Sequence, residues 1–565
     1  MPHISVSPRQ IELDLDEWPE PLRCKTFGGF QKCGREGHRR FFMNDSRTVG
    51  KLLPALGYGL FLAFAFFLLF HHLDNHLLWG DEGETAVLAR NVTKFGVPRT
   101  FDGTNYILLH GQRDENQDHI WTWSPWMQEY IAASAFVIFG ETTWAARAPF
   151  ALIGWCSLVA LALVAYKIYR SHWVALASVV LLGTSEVFLL HARQCRYYPI
   201  SVFAEILFIY GIYQLFARDW RGVWLAAFAL GLQFYSNYIV MVGNLPGLVV
   251  LAWMRRKQGK RAVLDVAMIA GLWLAAALPW MIYAHQWGQG KAVGEELHLG
   301  KAWPYLLEFH FHFLPLCFLL LPFLKHLPKT GTGQTAGTDP LTAGWERWLL
   351  WLLASYFAAI LLAPGFYLRY LLPILPLTCL LAATWIFRYV QRRTMVVLLI
   401  VIQVMSNVVS MVTAYPFRGT HRFRVPLVDY ARGTARPYAD QFSDVLAFFK
   451  QQAQPGEIVL SFDPEFPVEF YTSLAVIDGV LMAPPKGHMP RWILPSSASG
   501  VVAQAPVVLP DFLRPYYEPV TLRVHDSVRG DSIPEPDVYQ YQSASNFVPF
   551  LIYRLNTGTN GYRIQ

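Results

Sequence analysis

Charge is scarce in this chain. Asp, Glu, Lys and Arg make up 15% of its 565 residues, against about 25% in an ordinary soluble protein. That shortage excludes a disordered polyelectrolyte and argues against a purely soluble enzyme. Cysteine is scarce too. Six residues (Cys24, Cys33, Cys156, Cys195, Cys317 and Cys379) are too few for a disulfide framework, and three of them sit in apolar runs as expected buried thiols. Cys24 and Cys33 with His38 match no zinc spacing. Carboxylates are nearly missing from the longest apolar runs, with Glu186 and Glu205 the main exceptions. An ion or solute transporter places its polar groups near the midplane, so this absence weighs against one.

Apolar side chains are abundant. They reach 54% of the chain, with 20 Trp and a mean hydropathy of +0.28. The composition is that of a polytopic membrane protein. The net charge of +7 then reads as cationic loops rather than a nucleic-acid surface.

A span needs roughly 20 mostly apolar residues. Eleven runs qualify: 52–70, 147–166, 173–190, 199–217, 222–236, 238–254, 262–282, 305–324, 348–363, 370–387 and 395–413. The first follows a polar tail, 1–51, too long for a cleavable signal peptide, and reads as an anchor. A further run, Trp126 to Phe139, is too short to cross and carries Gln128 and Glu129; it is expected to lie in the interface. Loop charge supports that choice. With the tail inside, the inside loops hold 15 Lys and Arg in 47 residues and the outside loops 9 in 116, which obeys the positive-inside rule.

The expected fold is therefore about 11 transmembrane helices over 52–413, with interfacial helices in a first outside loop, 71–146. Residues 414–565 differ in kind. They are Pro-rich, nearly balanced in charge, and lack a spanning run. Asp440 to Gln452 has helical periodicity and Glu457 to Phe462 reads as a strand after a Pro-Gly turn. A small α/β domain outside the membrane is expected there, covering the reactive face rather than performing catalysis. Asp463, Glu465 and Glu469, with prolines between them, read as a solvated loop.

Ionisable residues gather beside the outer surface, as suits an enzyme whose lipid substrate presents a reactive head at the interface. The first loop opens Trp79-Gly80-Asp81-Glu82-Gly83-Glu84. Asp81 could cap the helix that follows, and neighbouring carboxylates near an apolar surface also suit a general base. His110 and His119 further along are candidate substrate contacts rather than a metal pair. The second cluster runs His191-Ala192-Arg193-Gln194-Cys195-Arg196-Tyr197-Tyr198-Pro199, and the third runs Tyr367-Leu368-Arg369-Tyr370. Arginine on outside loops runs against the charge trend, and its planar fork binds phosphate.

These clusters, with Glu141-Thr-Thr-Trp-Ala-Ala-Arg147-Ala-Pro149 after the short apolar run, resemble the GT-C superfamily of polytopic glycosyltransferases that use polyprenyl-phosphate sugars. The resemblance covers about residues 50–390 and is nearest to the protein O-mannosyltransferase and lipid A aminoarabinose transferase branch. It implies Asp81 as base or acceptor-orienting acid with Glu82 beside it. It implies donor-phosphate contacts at Arg193, Arg196, Tyr197, Arg369 and Tyr370; Glu84, on the same acidic turn as Asp81, is a candidate substrate contact beside the family pattern. Ser124-Pro125 replaces a Lys-Pro of that branch, Glu84-Thr85 replaces an Arg-Tyr, and Tyr198 replaces an Asp. The last change removes a second carboxylate, so no metal or other cofactor is expected.

The implied activity is transfer of a hexose or pentose, with inversion, from a polyprenyl-phosphate donor to an extracytoplasmic glycan, lipid or protein hydroxyl. The implied location is the plasma (inner) membrane, with the lipid bilayer and the lipid-linked donor as partners and no nucleic acid. The competing readings are a flippase of lipid-linked sugars, with the arginine loops as a phosphate gate, and an inactive assembly subunit.

Overall fold

The computed structural model describes residues 55–108, 113–285, 302–326, 340–361, 367–418, 423–462, 465–478, 489–495, 513–527 and 541–556, with isolated positions between them. Within it, Leu56–Gln565 form one compact unit. The polar tail 1–51 lies outside the described residues.

The chain enters through α1 (Ala55–Phe70). Two helices of the first loop follow, α2 (Gly80–Phe95) and α3 (Met127–Phe139). At 13 residues, α3 is about 20 Å long, short of a hydrocarbon core of about 30 Å. Next come α4 (Thr143–Tyr169), α5 (His172–Gly183), α6 (Glu186–Ala192), α7 (Tyr198–Phe216), α8 (Arg221–Ser236), α9 (Tyr238–Val242), α10 (Asn244–Arg255) and α11 (Lys260–Tyr283). Local chemistry sets several of these boundaries. Thr142 caps α4 by accepting from the Ala145 amide at 3.1 Å, and Ser171 caps α5 through Val174. Gly96 ends α2 at φ 77°, where an L side chain would be strained.

The bundle continues with α12 (Ala302–Glu308), a π-turn over Phe309–Phe313 and a 3₁₀ stretch, Leu316–His326. Then come α13 (Pro340–Ile360), a 3₁₀ turn over Leu368–Ile374, α14 (Leu375–Tyr389), α15 (Arg393–Met405) and α16 (Val408–Arg418). Among the described residues, four stretches are unbroken and apolar enough to cross a bilayer: Thr143–Tyr169, Tyr198–Phe216, Lys260–Tyr283 and Leu368–Tyr389. Three bent pairs bring the count by length and composition to at most seven among the described residues, against the eleven apolar runs of the sequence. The bent runs are already in that count, and the shortfall comes from others: the described helices α1 and α8 have only 16 residues each. Runs 173–190, 305–324 and 395–413 break by 67°, 89° and 91°, and 238–254 is interrupted at Gly243. The chain is a polytopic helical membrane protein.

Small residues let the helices approach. A Cβ on Gly222 would lie 2.2 Å from the Gly211 carbonyl oxygen, and one on Gly211 would lie 2.7 Å from the Ala226 amide. Helices α7 and α8 therefore touch backbone to backbone, as small-residue interfaces in membranes do.

Beyond the bundle lie α17 (Pro426–Thr434), α18 (Gln441–Gln452), β1 (Ile458–Ser461), α19 (Glu465–Tyr471), β2 (Ala475–Asp478), β3 (Trp492–Leu494), β4 (Tyr517–His525) and β5 (Phe547–Leu555). The strands form one mixed sheet in the order β2-β1-β3-β5-β4. β1 runs parallel to β2 and β3, and β5 antiparallel to β3 and β4. The helix expected at 440–452 is α18, which buries Val445, Leu446 and Phe449 against this sheet. The expected loop is different. Asp463 lies outside the described residues, while Glu465 opens α19 and Glu469 is buried within it. Phe466 and Phe470 join the apolar cluster that holds α2 and α3, so this stretch is packed rather than solvated.

Candidate active site

Three segments distant in sequence meet at the start of α2. Trp79 is the N-cap residue and makes no side-chain cap bond, so Asp81 stands within the first turn and its carboxylate is not the cap. It points instead at two arginines. Arg196 Nη2 lies 3.5 Å away and Arg369 Nη2 lies 3.6 Å away, both on Oδ2. The Asp81 side chain keeps 27% exposure, and it is the open member of the cluster. Arg369 lies over the Tyr367 ring at 4.2 Å and the Trp79 ring at 5.6 Å, contacts that hold a guanidinium in place.

Arg196 is the hub. Its Nη1 donates to the Asp81 carbonyl (3.0 Å), to Glu84 Oε1 (3.1 Å) and to Thr85 Oγ1 (2.9 Å). The Tyr197 ring lies 5.7 Å below it. Glu84 is 2% exposed and its Oε2 has no hydrogen-bond partner. Burial, opposed by Arg196 and reinforced by Asp81, pushes its carboxyl up to about 7. The structure thus brings Asp81, Glu84, Arg196, Tyr197 and Arg369 together. Tyr370 is buried on the same 3₁₀ turn as Arg369.

Other expected site residues have different tasks. Glu82 is wholly buried. Its carboxylate accepts from Arg147 Nε (2.8 Å) and Nη2 (2.6 Å) and from the Cys195 amide (2.8 Å). Arg147 also donates to the Leu73, His76 and Leu77 carbonyls. Glu82 is thus held by Arg147 and the Cys195 amide rather than by the two arginines that face Asp81. Arg193 is not among the side chains that meet Asp81. It donates to the His71 and His72 carbonyls (2.8 and 2.7 Å) and to the Tyr430 hydroxyl (3.0 Å), tying the end of α1 to α17. His119 bonds Glu115 at 2.9 Å and packs among Phe101 and Tyr106; no contact joins it to Asp81. His110 lies outside the described residues. Among those residues, no group of three or more His, Cys, Asp or Glu side chains could hold a metal.

Several participants were not singled out from the sequence. Trp79 donates its indole N–H to Gln194 (2.8 Å) and so fixes the arginine loop to the acidic turn. Glu129 in α3 is fully buried, bonds the Gln128 amide at 3.0 Å, and leaves Oε2 unpartnered. Burial, aided by Glu84, pushes Glu129 up to about 8. Its signal was a carboxylate inside an apolar run. The backing of α2 comes from α19: Tyr471 accepts from the Leu78 amide at 3.0 Å, and Arg90 donates to the Glu469 and Phe470 carbonyls. A Cβ on Gly83 would meet Pro467 at 2.9 Å, so only glycine allows this approach.

Residues 124–283 match the family model described as dolichyl-phosphate-mannose-protein mannosyltransferase. No curated protein sequence matches the chain. Among solved structures, it is similar to ArnT from Cupriavidus metallidurans bound to undecaprenyl phosphate, with 16% identity, a TM-score of 0.49, and 74% of this chain and 86% of that one covered. The apo state of the same ArnT gives 16%, 0.46, 69% and 69%. The arabinosyltransferase EmbB from Mycobacterium smegmatis gives 13%, 0.37, 57% and 30%. The family match thus runs from α3 through α11 and includes Arg196 and Tyr197, while Asp81 and Arg369 lie outside it.

Proposed function

We propose that the chain moves a sugar from a polyprenyl-phosphate donor to an acceptor hydroxyl, inverting the anomeric centre, on the extracytoplasmic side. The observation that carries this reading is Asp81 held between Arg196 and Arg369. Contacts of 3.5 and 3.6 Å are long beside a charge-assisted bond of about 2.8 Å, so the Nη2 groups of both arginines can take a phosphate in place of Asp81 while Arg196 Nη1 keeps its bonds to Glu84 and Thr85. Donor binding then frees the carboxylate. Asp81 accepts the proton of the acceptor hydroxyl while its oxygen attacks the anomeric carbon opposite the phosphate. The C–O bond to phosphate breaks, its electron pair leaves with the polyprenyl phosphate, and Arg196 and Arg369 stabilise the added negative charge. Phosphate is a good leaving group, and the route uses no general acid. It routes no step through a metal.

The charge bias of the loops in the sequence supports this orientation, and in this reading the 414–565 segment lies outside with the site. In this reading that segment is an accessory that braces α2 through α19. The sugar is a hexose or a pentose. The test is purified protein given polyprenyl phosphate carrying a labelled sugar together with host membranes as acceptor. Free polyprenyl phosphate and label in the acceptor, with the anomeric configuration reversed by NMR, are the expected products. Donor that remains intact while crossing reconstituted vesicles would make the protein a carrier of lipid-linked sugars instead.

A further inference from the structure

The three bent pairs break at one place. Thr184 and Ser185 between α5 and α6, Leu314 before the 3₁₀ stretch, and Ser406 with Asn407 between α15 and α16 all line a single cavity. Its interior offers about 50 Å³ and opens to the surface, enough to seat the hydroxyl-bearing edge of a head group rather than a whole ring. Non-helical backbone at membrane depth persists only where protein buries it or where it lines a cavity, and discontinuous helices are a recurrent way to build a binding site there.

The lining carries chemistry. Behind the lining, His310 closes much of the loose backbone: Nε2 lies 3.0 Å from the Ser410 carbonyl and Nδ1 accepts from the Leu316 amide at 3.0 Å. Ser185 Oγ and Gln403 Oε1, in contrast, are buried atoms without a hydrogen-bond partner. An unpaired buried polar atom costs about 1–3 kcal/mol, so both are suited to a ligand that supplies hydrogen bonds. Charge around the cavity is compensated within the protein. Glu186 pairs with Arg424 at 2.6 Å and accepts from the Tyr541 hydroxyl, and the His312 ring lies 3.2 Å from Glu308. Such a wall favours a neutral ligand over an ion. The site is also within reach of lipid, because α15 and α16 turn Val397, Val401, Val408 and Val412 outward.

We infer that this cavity is a second ligand site, distinct from the Asp81 cluster, that takes a neutral hydroxyl-bearing head group from a membrane lipid or from free sugar. Gln403 and Ser185 recognise its hydroxyls. The test uses the full chain in a detergent without a sugar head. It is given a monohexosyl diacylglycerol, phosphatidylglycerol or methyl hexoside, and binding is read by native mass spectrometry and by the unfolding midpoint. The hexosyl lipid should bind, and Gln403→Leu and Ser185→Ala should each weaken it about fivefold, one neutral hydrogen bond apiece. Among the described residues the Ser185 hydroxyl makes no hydrogen bond, so its removal leaves folding intact. Binding of methyl hexoside alone, weakened by the same substitutions, supports the site with free sugar as its source. A preference for phosphatidylglycerol, or hexosyl-lipid binding unchanged in both variants, overturns the assignment.

Discussion

Replacing Glu82 by Gln separates an anchor from a catalyst. In the native protein the carboxylate receives two guanidinium bonds and one amide bond at 2.6–2.8 Å, all shielded from solvent. Gln is isosteric but neutral, and its amide nitrogen must face either Arg147 or the Cys195 N–H, donor against donor. The substitution leaves the Arg147 charge buried, with only the Leu73, His76 and Leu77 carbonyls to meet it. Breaking one side of a buried ion pair costs about 3–5 kcal/mol, a large part of the 5–15 kcal/mol that holds a typical protein together. Glu82→Gln should therefore lower the unfolding midpoint sharply and reduce folded yield. Adding Arg147→Met to Glu82→Leu should recover part of the loss, because the unpaired charge is then gone, although the Cys195 amide stays unsatisfied. The assay is thermal unfolding with donor binding measured on the folded fraction. A Glu82→Gln protein as stable as wild type but unable to transfer sugar would refute the anchor reading and restore Glu82 to the chemistry.

Glu129 gives a pH test. Its native carboxyl titrates near 8 and the unfolded one near 4.5, so the fold holds an extra proton between those values. Stability should fall as pH rises from about 4.5 to about 8, by on the order of 4 kcal/mol, and Glu129→Gln should flatten this profile in scanning fluorimetry. Arg193→Lys should lower the midpoint by losing the His71 and His72 carbonyls while leaving the donor KM unchanged; Arg196→Lys should raise the donor KM. Gly222→Ala should push α7 from α8, since its methyl would sit 2.2 Å from a carbonyl oxygen. A cost of roughly 1–3 kcal/mol is expected in thermal unfolding.

Membrane class was legible because apolar length is written directly in the chain, and the short run at 126–139 could be recognised by length alone. Bends were not legible. Nothing in the hydropathy of 173–190 marks the turn at Thr184 and Ser185, which tertiary packing imposes. The site was legible in its residue types but not in their pairings. Asp81 and Glu82 are neighbours in sequence, yet the turn of α2 sends one toward Arg196 and Arg369 and the other into Arg147. Arg193 and Arg196 are three apart on a loop and face different partners for the same reason. The bracing of α2 by α19 joins residues nearly 400 positions apart, a contact that no local pattern encodes.

The central claim is that Asp81 takes the acceptor proton once the donor has drawn the two arginines away. Asp81→Asn measured for both donor affinity and transfer rate in one preparation tests it most directly. Asn keeps the shape but no longer competes for Arg196 and Arg369, so donor should bind at least as tightly as to wild type. Transfer should fall by about 10²–10⁴, the usual share of a general base. Near-wild-type transfer by Asp81→Asn would contradict the account, and so would a loss of activity explained wholly by weaker donor binding.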